Sequence, residues 1–260
     1  MSHSERVNIE RGDDGVTHVR LSRPEKRNGL DLAMFEAILD AAKTLARDDS
    51  LRAVVLSGDG PAFCAGLDFK SFMASPEVAP RLLARPTGAE GNRAQRVALQ
   101  WRELSVPVIA ALHGAVFGGG LQIALGADVR YAARDAQLSV MEIQYGLIPD
   151  MAITQTLLPF MPLDRLKELV YTGRVISGER AAELGLVTAV ADDPLAAAFA
   201  TAREIAGRSP SAVRAAKRLL ERAPRLAPEQ ALALETSLQL TLLGTPEQLQ
   251  AVATRGRGAK

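Results

Sequence analysis

The sequence predicts an α/β core followed by a helical C-terminal region, and two observations lead to this prediction. Up to about residue 190, short apolar runs typical of strands recur between helical segments, as in a layered α/β fold. From residue 193 onward, the apolar patterns are of the helical kind. We therefore predict a core over residues 1–192 and a helical region over residues 193–260.

The N-terminal part of the chain predicts a hairpin and then a helix. Residues 7–9 begin a short strand, and residues 12–15 (GDDG) are typical of a hairpin turn. The alternation in residues 16–21 (VTHVRL) predicts a second strand with one buried and one exposed face. Asp31 precedes an apolar helical run and is a suitable N-cap for a helix that reaches about Arg47.

Three further strands and two C-terminal helices are predicted next. The apolar runs at residues 52–58, 107–112 and 128–132 have the length and composition of buried strands. Residues 209–210 (SP) are suited to begin a helix as its N-cap and first residue. A longer, leucine-rich helix is predicted over residues 228–243. The terminal helices have no strand of their own to cover, and the sequence leaves open whether they pack within the chain or on a partner subunit.

The composition excludes several classes of function. With 31 basic and 30 acidic residues and only 4% aromatic residues, the chain has neither the positive charge nor the stacking surfaces of a general nucleic-acid binder. Its single cysteine, Cys64, excludes an internal disulfide and a multi-cysteine metal site. Residues 1–6 are polar and show no secretory signal, so we expect a reducing, cytoplasmic location.

One uncharged stretch is long enough to cross a bilayer. Residues 104–127 contain no acidic or basic side chain. However, Pro107, Gly114 and the glycines at 118–120 interrupt this run. These breakers favour a buried strand, a glycine turn and a buried helix over a membrane span.

Two glycine-rich turns are the first candidates for chemistry. They lie at residues 58–69 (GDGPAFCAGLDF) and 113–124 (HGAVFGGGLQIA), and each follows a strand and opens toward a helix. Such turns expose backbone N–H groups that bind a phosphate or a developing oxyanion. Neither turn matches a P-loop or a dinucleotide-binding motif. Spacing alone leaves open a purely structural role as tight turns that allow close packing.

The motifs around these turns resemble the enoyl-CoA hydratase/isomerase, or crotonase, family. The resemblance rests first on residues 62–69 (AFCAGLDF) and 114–120 (GAVFGGG). It covers nearly the whole chain through further segments at residues 23–30 (RPEKRNGL), 125–130 (LGADVR), 142–149 (EIQYGLIP), 171–174 (YTGR), 181–187 (AAELGLV) and 209–210 (SP).

The resemblance implies a fold, an assembly and a substrate class. The family fold is a spiral of ββα repeats, followed by C-terminal helices that build homotrimers and often hexamers. The implied substrate and partner is an acyl-CoA thioester. No metal and no separate cofactor are implied, because CoA enters as part of the substrate.

Motif positions in the resemblance imply an oxyanion hole. The backbone N–H groups of Leu67 and Gly119 would bind the thioester oxygen. This oxygen gains enolate character when a neighbouring carbon loses or gains a proton, and two fixed donors stabilise the charge. The other implied substrate contacts are Lys26 and Arg27 toward the CoA phosphates, together with Ala65, Asp68, Gly118 and Gln122. The residues alone leave open that Lys26 and Arg27 are solvated surface residues and that Gln122 is a helix residue without a role in the site. Asp68 is also expected to cap or orient its loop.

The residues at the catalytic positions favour isomerisation over hydration. Hydratases of the family use two glutamates to activate one water, but Gln122 stands at the first of these positions and Glu142 at the second. An amide does not exchange protons at neutral pH. Asp150 follows eight residues after Glu142, a spacing that resembles dienoyl-CoA isomerases and the ring-oxepin-type isomerases of aromatic degradation. The match to the dienoyl isomerases is partial, because they also carry an acid at the position of Gln122. We therefore predict Glu142 and Asp150 as the catalytic groups of an enoyl- or dienoyl-CoA isomerase.

Alternatives remain open from the residues alone. The chain could be a hydratase that uses Glu142 while Gln122 positions water, or an acyl-CoA binder without turnover. Asp150 could serve only as the N-cap of a helix that begins at residue 151. Cys64 is expected to be a small buried residue, because no histidine motif accompanies it.

Overall fold

The computed structural model describes residues 6–157 and 161–257, so the prediction about the polar residues at the N-terminus lies almost entirely outside the described residues. The described strands are β1 (Val7–Arg11), β2 (Val16–Leu21), β3 (Ala53–Gly58), β4 (Val108–Leu112), β5 (Ala115–Phe117), β6 (Val129–Ala132), β7 (Gln137–Ser139), β8 (Ile176–Ser177) and β9 (Ala189–Val190). The α-helices are α1 (Leu32–Leu45), α2 (Phe69–Ala74), α3 (Val78–Leu83), α4 (Arg93–Glu103), α5 (Gly119–Ala124), α6 (Ile153–Thr156), α7 (Leu163–Thr172), α8 (Gly178–Glu183), α9 (Pro194–Ala206), α10 (Pro210–Arg222), α11 (Pro228–Leu242) and α12 (Pro246–Arg257).

Two sheets form the core of the α/β fold. The larger sheet has the strand order β1-β2-β3-β4-β6-β9, in which only the β1–β2 hairpin is antiparallel. The smaller sheet has the order β5-β7-β8. Each ββα unit adds one strand to each sheet, since β4 and β5 precede α5, and β6 and β7 pair in parallel with β4 and β5. This repeated path is the spiral that the resemblance implies.

Local signals in the sequence determine where several elements begin. Asp31 accepts a hydrogen bond from the N–H of Met34 and so caps α1, as predicted. Ser209 caps α10 by accepting from the N–H of Ala212, and Pro210 is the first residue of that helix. The segment between the two glycine turns forms α2, α3 and α4.

The prediction of an exposed face on β2 is wrong, because a helix from the C-terminal region covers it. One face of the large sheet packs on α1 and α4, as in the cluster that contains Val19 and Leu21. Ala198 and Ala202 of α9 cover the other face. His18 lies on this second face, where its Nε2 hydrogen bonds to the Ser57 hydroxyl at 2.8 Å. The sheet is thus buried on both faces, as parallel sheets usually are.

A buried ion pair attaches α10 to the core. Lys217 is 7% exposed, and its ammonium group donates to Asp128 Oδ2 at 2.8 Å. It also donates to the carbonyl oxygens of Trp101 and Val106 at 3.1 and 2.9 Å. All three donor positions of the ammonium group are therefore used. α9 and α10 thus pack within the chain, which answers for these two helices the question that the sequence left open.

The uncharged stretch at residues 104–127 is part of the globular core. It contains β4, β5 and α5. Across residues 6–157 and 161–257, no helix has the length and apolar character needed to cross a membrane.

We expect Lys217→Ala to lower the free energy of unfolding by about 3–5 kcal/mol, because it leaves the buried Asp128 carboxylate without its positive partner and two carbonyl groups without the ammonium donor. Urea titration of the parent and the variant measures this difference. The matched control is Lys167→Ala, which removes an exposed lysine of α7 and should change stability by less than about 0.5 kcal/mol. Equal stability of the two variants would show that the buried pair contributes nothing net.

Candidate active site

A cavity of about 760 Å³ lies beside the two glycine-rich loops. Its wall is mainly apolar, and Glu142 and Asp150 provide its charged side chains. One end of the cavity is formed by the loops and the carboxylates, through Ala65, Gly66, Leu67, Gly118, Gly119, Met141, Glu142, Tyr145, Asp150 and Met151. The rest is lined by Leu30, Phe35, Phe69, Phe72, Met73, Pro76, Ala79, Leu82, Leu83, Ala94, Leu147 and Ile148.

The first glycine loop is held between two neighbouring segments by main-chain hydrogen bonds. On one side, the N–H of Leu30 donates to Gly66 O at 2.8 Å, and the N–H of Asp68 donates to Leu30 O at 3.0 Å. On the other side, the N–H of Phe117 donates to Cys64 O at 3.0 Å. These bonds fix the loop from both edges, so its remaining N–H groups point in set directions.

Glycine is required at two places where the two loops come into contact. A Cβ placed on Gly120 would lie 2.4 Å from Cys64 O, and one placed on Gly66 would lie 2.8 Å from Phe117 O. Gly66 also has φ +86°, which side chains disfavour. The approach buries Cys64 completely, and burial raises the pKa of its thiol to about 12. Cys64 is therefore a packing residue and a poor nucleophile, as the sequence predicted.

Two residues at this end of the cavity have main-chain N–H groups that find no acceptor among the described residues. They are Leu67 and Gly119, both of which line the cavity. Leu67 forms a parallel β-bridge with Leu30, but the two hydrogen bonds of this bridge are made by Gly66 O and by the N–H of Asp68. The N–H of Leu67 therefore has no acceptor in the bridge. The Gly119 N–H is free because this residue begins α5. Both N–H groups are therefore available as donors to a ligand.

Glu142 is held at the same end of the cavity by one hydrogen bond. It begins the short 3-10 turn Glu142–Tyr145, and its Oε1 accepts from Gln122 Nε2 at 2.6 Å. Its Oε2 is buried and has no hydrogen-bond partner among the described residues. Burial raises the pKa of Glu142, and the nearby charge of Asp150 adds to this effect. Oε2 is thus the oxygen that can take up or release a proton.

The amide of Gln122 has a single orientation. Its Oε1 accepts from the N–H of Met151 at 2.9 Å, so its NH₂ group faces Glu142. Gln122 is fully buried and does not line the cavity. Gln122 therefore has a role that the sequence did not suggest: it hydrogen bonds to Glu142 and orients it without lining the cavity.

Asp150 lines the cavity and does not cap a helix. The helix that follows is α6, whose N-cap is Ala152 with no side-chain hydrogen bond. The helix-cap alternative for Asp150 is therefore wrong. Burial raises the pKa of this carboxyl group as well. Two carboxyl groups with raised pKa values consequently face one apolar cavity.

The structure brings together six of the ten residues that the sequence proposed for the site. Ala65, Leu67, Gly118, Gly119, Glu142 and Asp150 line the cavity. Lys26 and Arg27 are exposed and do not line the cavity, and their contact with CoA phosphates stays a prediction. Asp68 and Gln122 also lie outside the lining.

Asp68 orients its loop, as expected, through a charged cluster behind the cavity. It caps α2 by accepting from the N–H of Ser71, and it pairs with Arg23 at 2.9 Å. Burial alone would raise the pKa of Asp68, but the hydrogen bonds from Ser71 and Arg23 outweigh it and lower the pKa. Arg23 also donates to Gly29 O and lies 3.4 Å from Asp31, the cap of α1. The cluster thus connects the starts of two helices.

Asn28 is a positioning residue that the sequence did not single out. Its side chain is fully buried, and its Nδ2 donates to the carbonyl oxygens of Ala62 and Phe63 in the first glycine loop, at 2.8 and 3.1 Å. Its backbone has φ +55°, a conformation that asparagine tolerates better than most residues. The Asn-Gly pair at residues 28–29 was the signal in the sequence, since such pairs favour turns.

In the described part of the chain, no group of three or more His, Cys, Asp and Glu side chains could hold a metal ion. The expectation that the site uses no metal and no separate cofactor stays a prediction.

Comparison with known proteins relates this chain to one family. The family model described as enoyl-CoA hydratase/isomerase matches residues 11–251. The mouse mitochondrial Delta(3,5)-Delta(2,4)-dienoyl-CoA isomerase is 33% identical over 231 residues, which cover 82% of this chain and 68% of that protein. The hydroxycinnamoyl-CoA hydratase-lyase of Pseudomonas fluorescens is 30% identical over 225 residues, covering 84% of this chain and 79% of that protein.

Solved structures agree with the sequence comparison. The crystal structure of enoyl-CoA hydratase from Bacillus anthracis superposes with a TM-score of 0.89 at 28% identity, covering 97% of this chain and 96% of that chain.

The similar dienoyl-CoA isomerases include a mitochondrial protein in mouse and a peroxisomal one in Arabidopsis thaliana, so a cytoplasmic location stays a prediction for this chain.

We expect Glu142→Gln to stabilise the fold increasingly as the pH rises. Burial raises the pKa of folded Glu142 above the value of roughly 4.3 in an unfolded chain. At a pH between the unfolded and the folded pKa of Glu142, the folded protein binds more protons than the unfolded one. The parent therefore loses stability as the pH rises through this range. The variant does not titrate at this position and keeps its gain at every pH above the folded pKa. Urea titrations from pH 4 to pH 9 measure the difference.

The matched control is Glu235→Gln, which neutralises an exposed glutamate of α11 and should show no comparable trend. A variant that loses stability relative to the parent as the pH rises would show that the site stabilises the Glu142 carboxylate, contrary to its raised pKa.

Proposed function

The chain belongs to the enoyl-CoA hydratase/isomerase family, and from this membership we propose that it is an enoyl- or dienoyl-CoA isomerase. The observation that supports this best is the pair of carboxyl groups, Glu142 and Asp150, on one apolar cavity beside two free N–H groups. The similarity to dienoyl-CoA isomerases at about one third identity is consistent with it.

The free N–H groups suit a thioester oxygen. We propose that the carbonyl oxygen of an acyl-CoA accepts from Leu67 and Gly119. When the adjacent carbon loses a proton, negative charge moves onto this oxygen as an enolate. Each fixed donor then contributes about 3 kcal/mol toward the transition state, by analogy with other oxyanion holes.

The two carboxyl groups supply the proton transfers. One ionised carboxylate accepts the proton from the carbon next to the thioester, and the electron pair moves into the conjugated system and the carbonyl oxygen. A carboxylic acid then gives a proton to the far end of that system, and the double bonds shift with no net gain of atoms. Burial raises the pKa of both groups toward neutrality, where general acid–base catalysis is most effective.

Gln122 supports isomerisation over hydration. Hydration needs a second acid that activates a water, but the amide at this position cannot exchange a proton at neutral pH. Its NH₂ group also donates to Glu142, and its oxygen accepts from Met151. Both ends of the amide are therefore occupied by protein groups. In the competing hydratase reaction, Glu142 would have to activate the water without a second glutamate.

The rest of the cavity suits the acyl part of the substrate. Its lining side chains between residues 69 and 94 are all apolar, and they come from α2, α3, the segment between them and the start of α4. A hydrocarbon chain gains by entering such a space, while a charged group there would find no partner. CoA enters as part of this substrate, and the proposed reaction uses no other cofactor.

We expect Glu142→Gln and Asp150→Asn each to lower isomerase turnover by about 100- to 10,000-fold, because each removes one group that transfers protons. The measurement is the ultraviolet absorbance of 3-enoyl-CoA and 3,5-dienoyl-CoA during conversion, with mass spectrometry of products formed in deuterium oxide. Binding of the CoA thioester, measured by calorimetry, should stay within a few-fold of the parent.

The matched control is Asp135→Asn, which neutralises an exposed aspartate outside the cavity lining and should keep parental turnover. Fast hydration of crotonyl-CoA, with no isomerisation by the parent protein, would contradict the proposal and support the hydratase. Binding of CoA thioesters without either reaction would support a catalytically silent acyl-CoA binder.

We also propose that the chain forms trimers or hexamers, as its resemblance to the family implies. Supporting this, the helices from α10 to α12 expose several large apolar side chains in the single chain, namely Leu220, Leu232, Leu240, Leu249 and Val252. Where such side chains form a large contiguous patch, the patch marks a contact surface.

We therefore expect light scattering at micromolar concentration to give three or six times the mass of one chain. Leu240→Glu should shift the mass downward, because a charge would then lie in an apolar contact. A parent protein with the mass of one chain at this concentration would contradict the assembly and leave the proposed reaction untouched.

A further inference from the structure

A single carbonyl oxygen outside the cavity accepts two side-chain hydrogen bonds. Gly173 ends α7 in the left-handed conformation, with φ 55°. Its carbonyl oxygen accepts from the Ser139 hydroxyl at 2.9 Å and from Gln144 Nε2 at 2.6 Å. Carbonyl groups at the end of a helix lack donors within the helix, so side chains often supply them. In this case the two donors come from two different elements of the site.

The first donor connects Gly173 to the oxyanion-binding turn. Ser139 is the last residue of β7 and is 3% exposed. Its own carbonyl oxygen accepts from the N–H of Gly118 at 2.9 Å. Gly118 directly precedes Gly119, which lines the cavity. Ser139 therefore holds the turn through its backbone and α7 through its side chain.

The second donor connects Gly173 to the turn that bears Glu142. Gln144 lies in the same 3-10 turn, two residues after Glu142. Gly173 also packs against this turn, since a Cβ placed on it would lie 3.0 Å from Gln144 Cγ and 3.0 Å from Ile143 Cγ2. The end of α7 thus determines where the turn sits.

The two elements that are connected through Gly173 also contact each other directly at the site. A Cβ placed on Gly118 would lie 3.3 Å from Glu142 Oε1, so the carboxylate rests against the oxyanion-binding turn. Ser139, Gln144 and Gly173 do not line the cavity and therefore do not touch the proposed substrate. Their contacts instead determine the position of Glu142 relative to Gly119.

We propose that Ser139 and Gln144 are positioning residues that act through the Gly173 carbonyl to hold Glu142 in place beside the Gly119 N–H. This inference rests on the proposed function, because the distance matters only if Glu142 transfers a proton to or from a thioester bound at Gly119. A displacement of about 1 Å in such a pair can cost about 100-fold in rate.

The test compares Ser139→Ala and Gln144→Met with the parent protein in steady-state kinetics on the isomerase substrate. Each variant removes one donor and keeps most of the side-chain volume. We expect kcat to fall by about tenfold or more while KM stays within about twofold, since the substrate contacts are unchanged. The matched controls are Ser105→Ala and Gln137→Met, which alter exposed residues and should keep the parental kcat.

A second readout separates positioning from a general loss of structure. When the turn loosens, water reaches Glu142 and its pKa returns toward the ordinary value of a glutamate. The limb of the pH–kcat profile that Glu142→Gln abolishes should therefore move to lower pH in both variants. The other titratable side chains in the described cavity lining are Asp150, whose charge acts on Glu142, and Tyr145; Asp150→Asn identifies the limb that belongs to Asp150. Ser139→Ala combined with Gln144→Met should depart from the product of the single effects, because the two donors share one acceptor.

Parental kcat in both single variants would overturn the positioning role. A lower kcat with an unchanged pH profile and a matching loss of folded protein would also overturn it, since that pattern reports only structure. If the parent hydrates crotonyl-CoA and does not isomerise, the proposed function fails, and the same comparison on the hydration kcat still tests the positioning role. A parent with no turnover of either kind overturns both.

Discussion

The rest of the structure depends on the close contact of two main-chain segments, the glycine loops around residues 62–68 and 114–120. Side chains are absent where these loops touch, at Gly66 and Gly120, because a Cβ would overlap a carbonyl oxygen of the opposite loop. The contact lets backbone hydrogen bonds pass from one loop to the other. It also leaves the N–H groups of Leu67 and Gly119 free at one end of the cavity. The packing of the two loops, the hydrogen bonds between them and the donors of the proposed chemistry thus all depend on the absence of a Cβ at these two glycines.

A second constraint works against stability. Glu142 and Asp150 lie in an apolar cavity, and burial raises the pKa of both carboxyl groups. An ionised group in such a place costs free energy, which proteins commonly accept at functional sites. The surrounding contacts limit this cost without removing it, because Gln122 donates to only one oxygen of Glu142. The other oxygen stays free to react.

Many features could be predicted from the sequence because their signals are local. The helix starts at Asp31 and Ser209, the strands at 53–58 and 108–112, and the glycine turns all depend on residue types within a few positions of one another. The six site residues that line the cavity were found through motif position in the same way. Errors arose where a distant segment intervened, as when α9 covered the second face of β2.

The sequence by itself determined the residue types of the site, the order of its elements and the family, since these depend on local pattern and motif. Only the tertiary structure decided that Gln122 contacts Glu142 rather than the cavity, that Asp150 faces the cavity rather than a helix N-terminus, and that Ser139 and Gln144 share the carbonyl of Gly173. The physical reason is that these contacts join groups up to 34 residues apart. Their geometry follows from the path of the backbone between them, which local pattern does not specify.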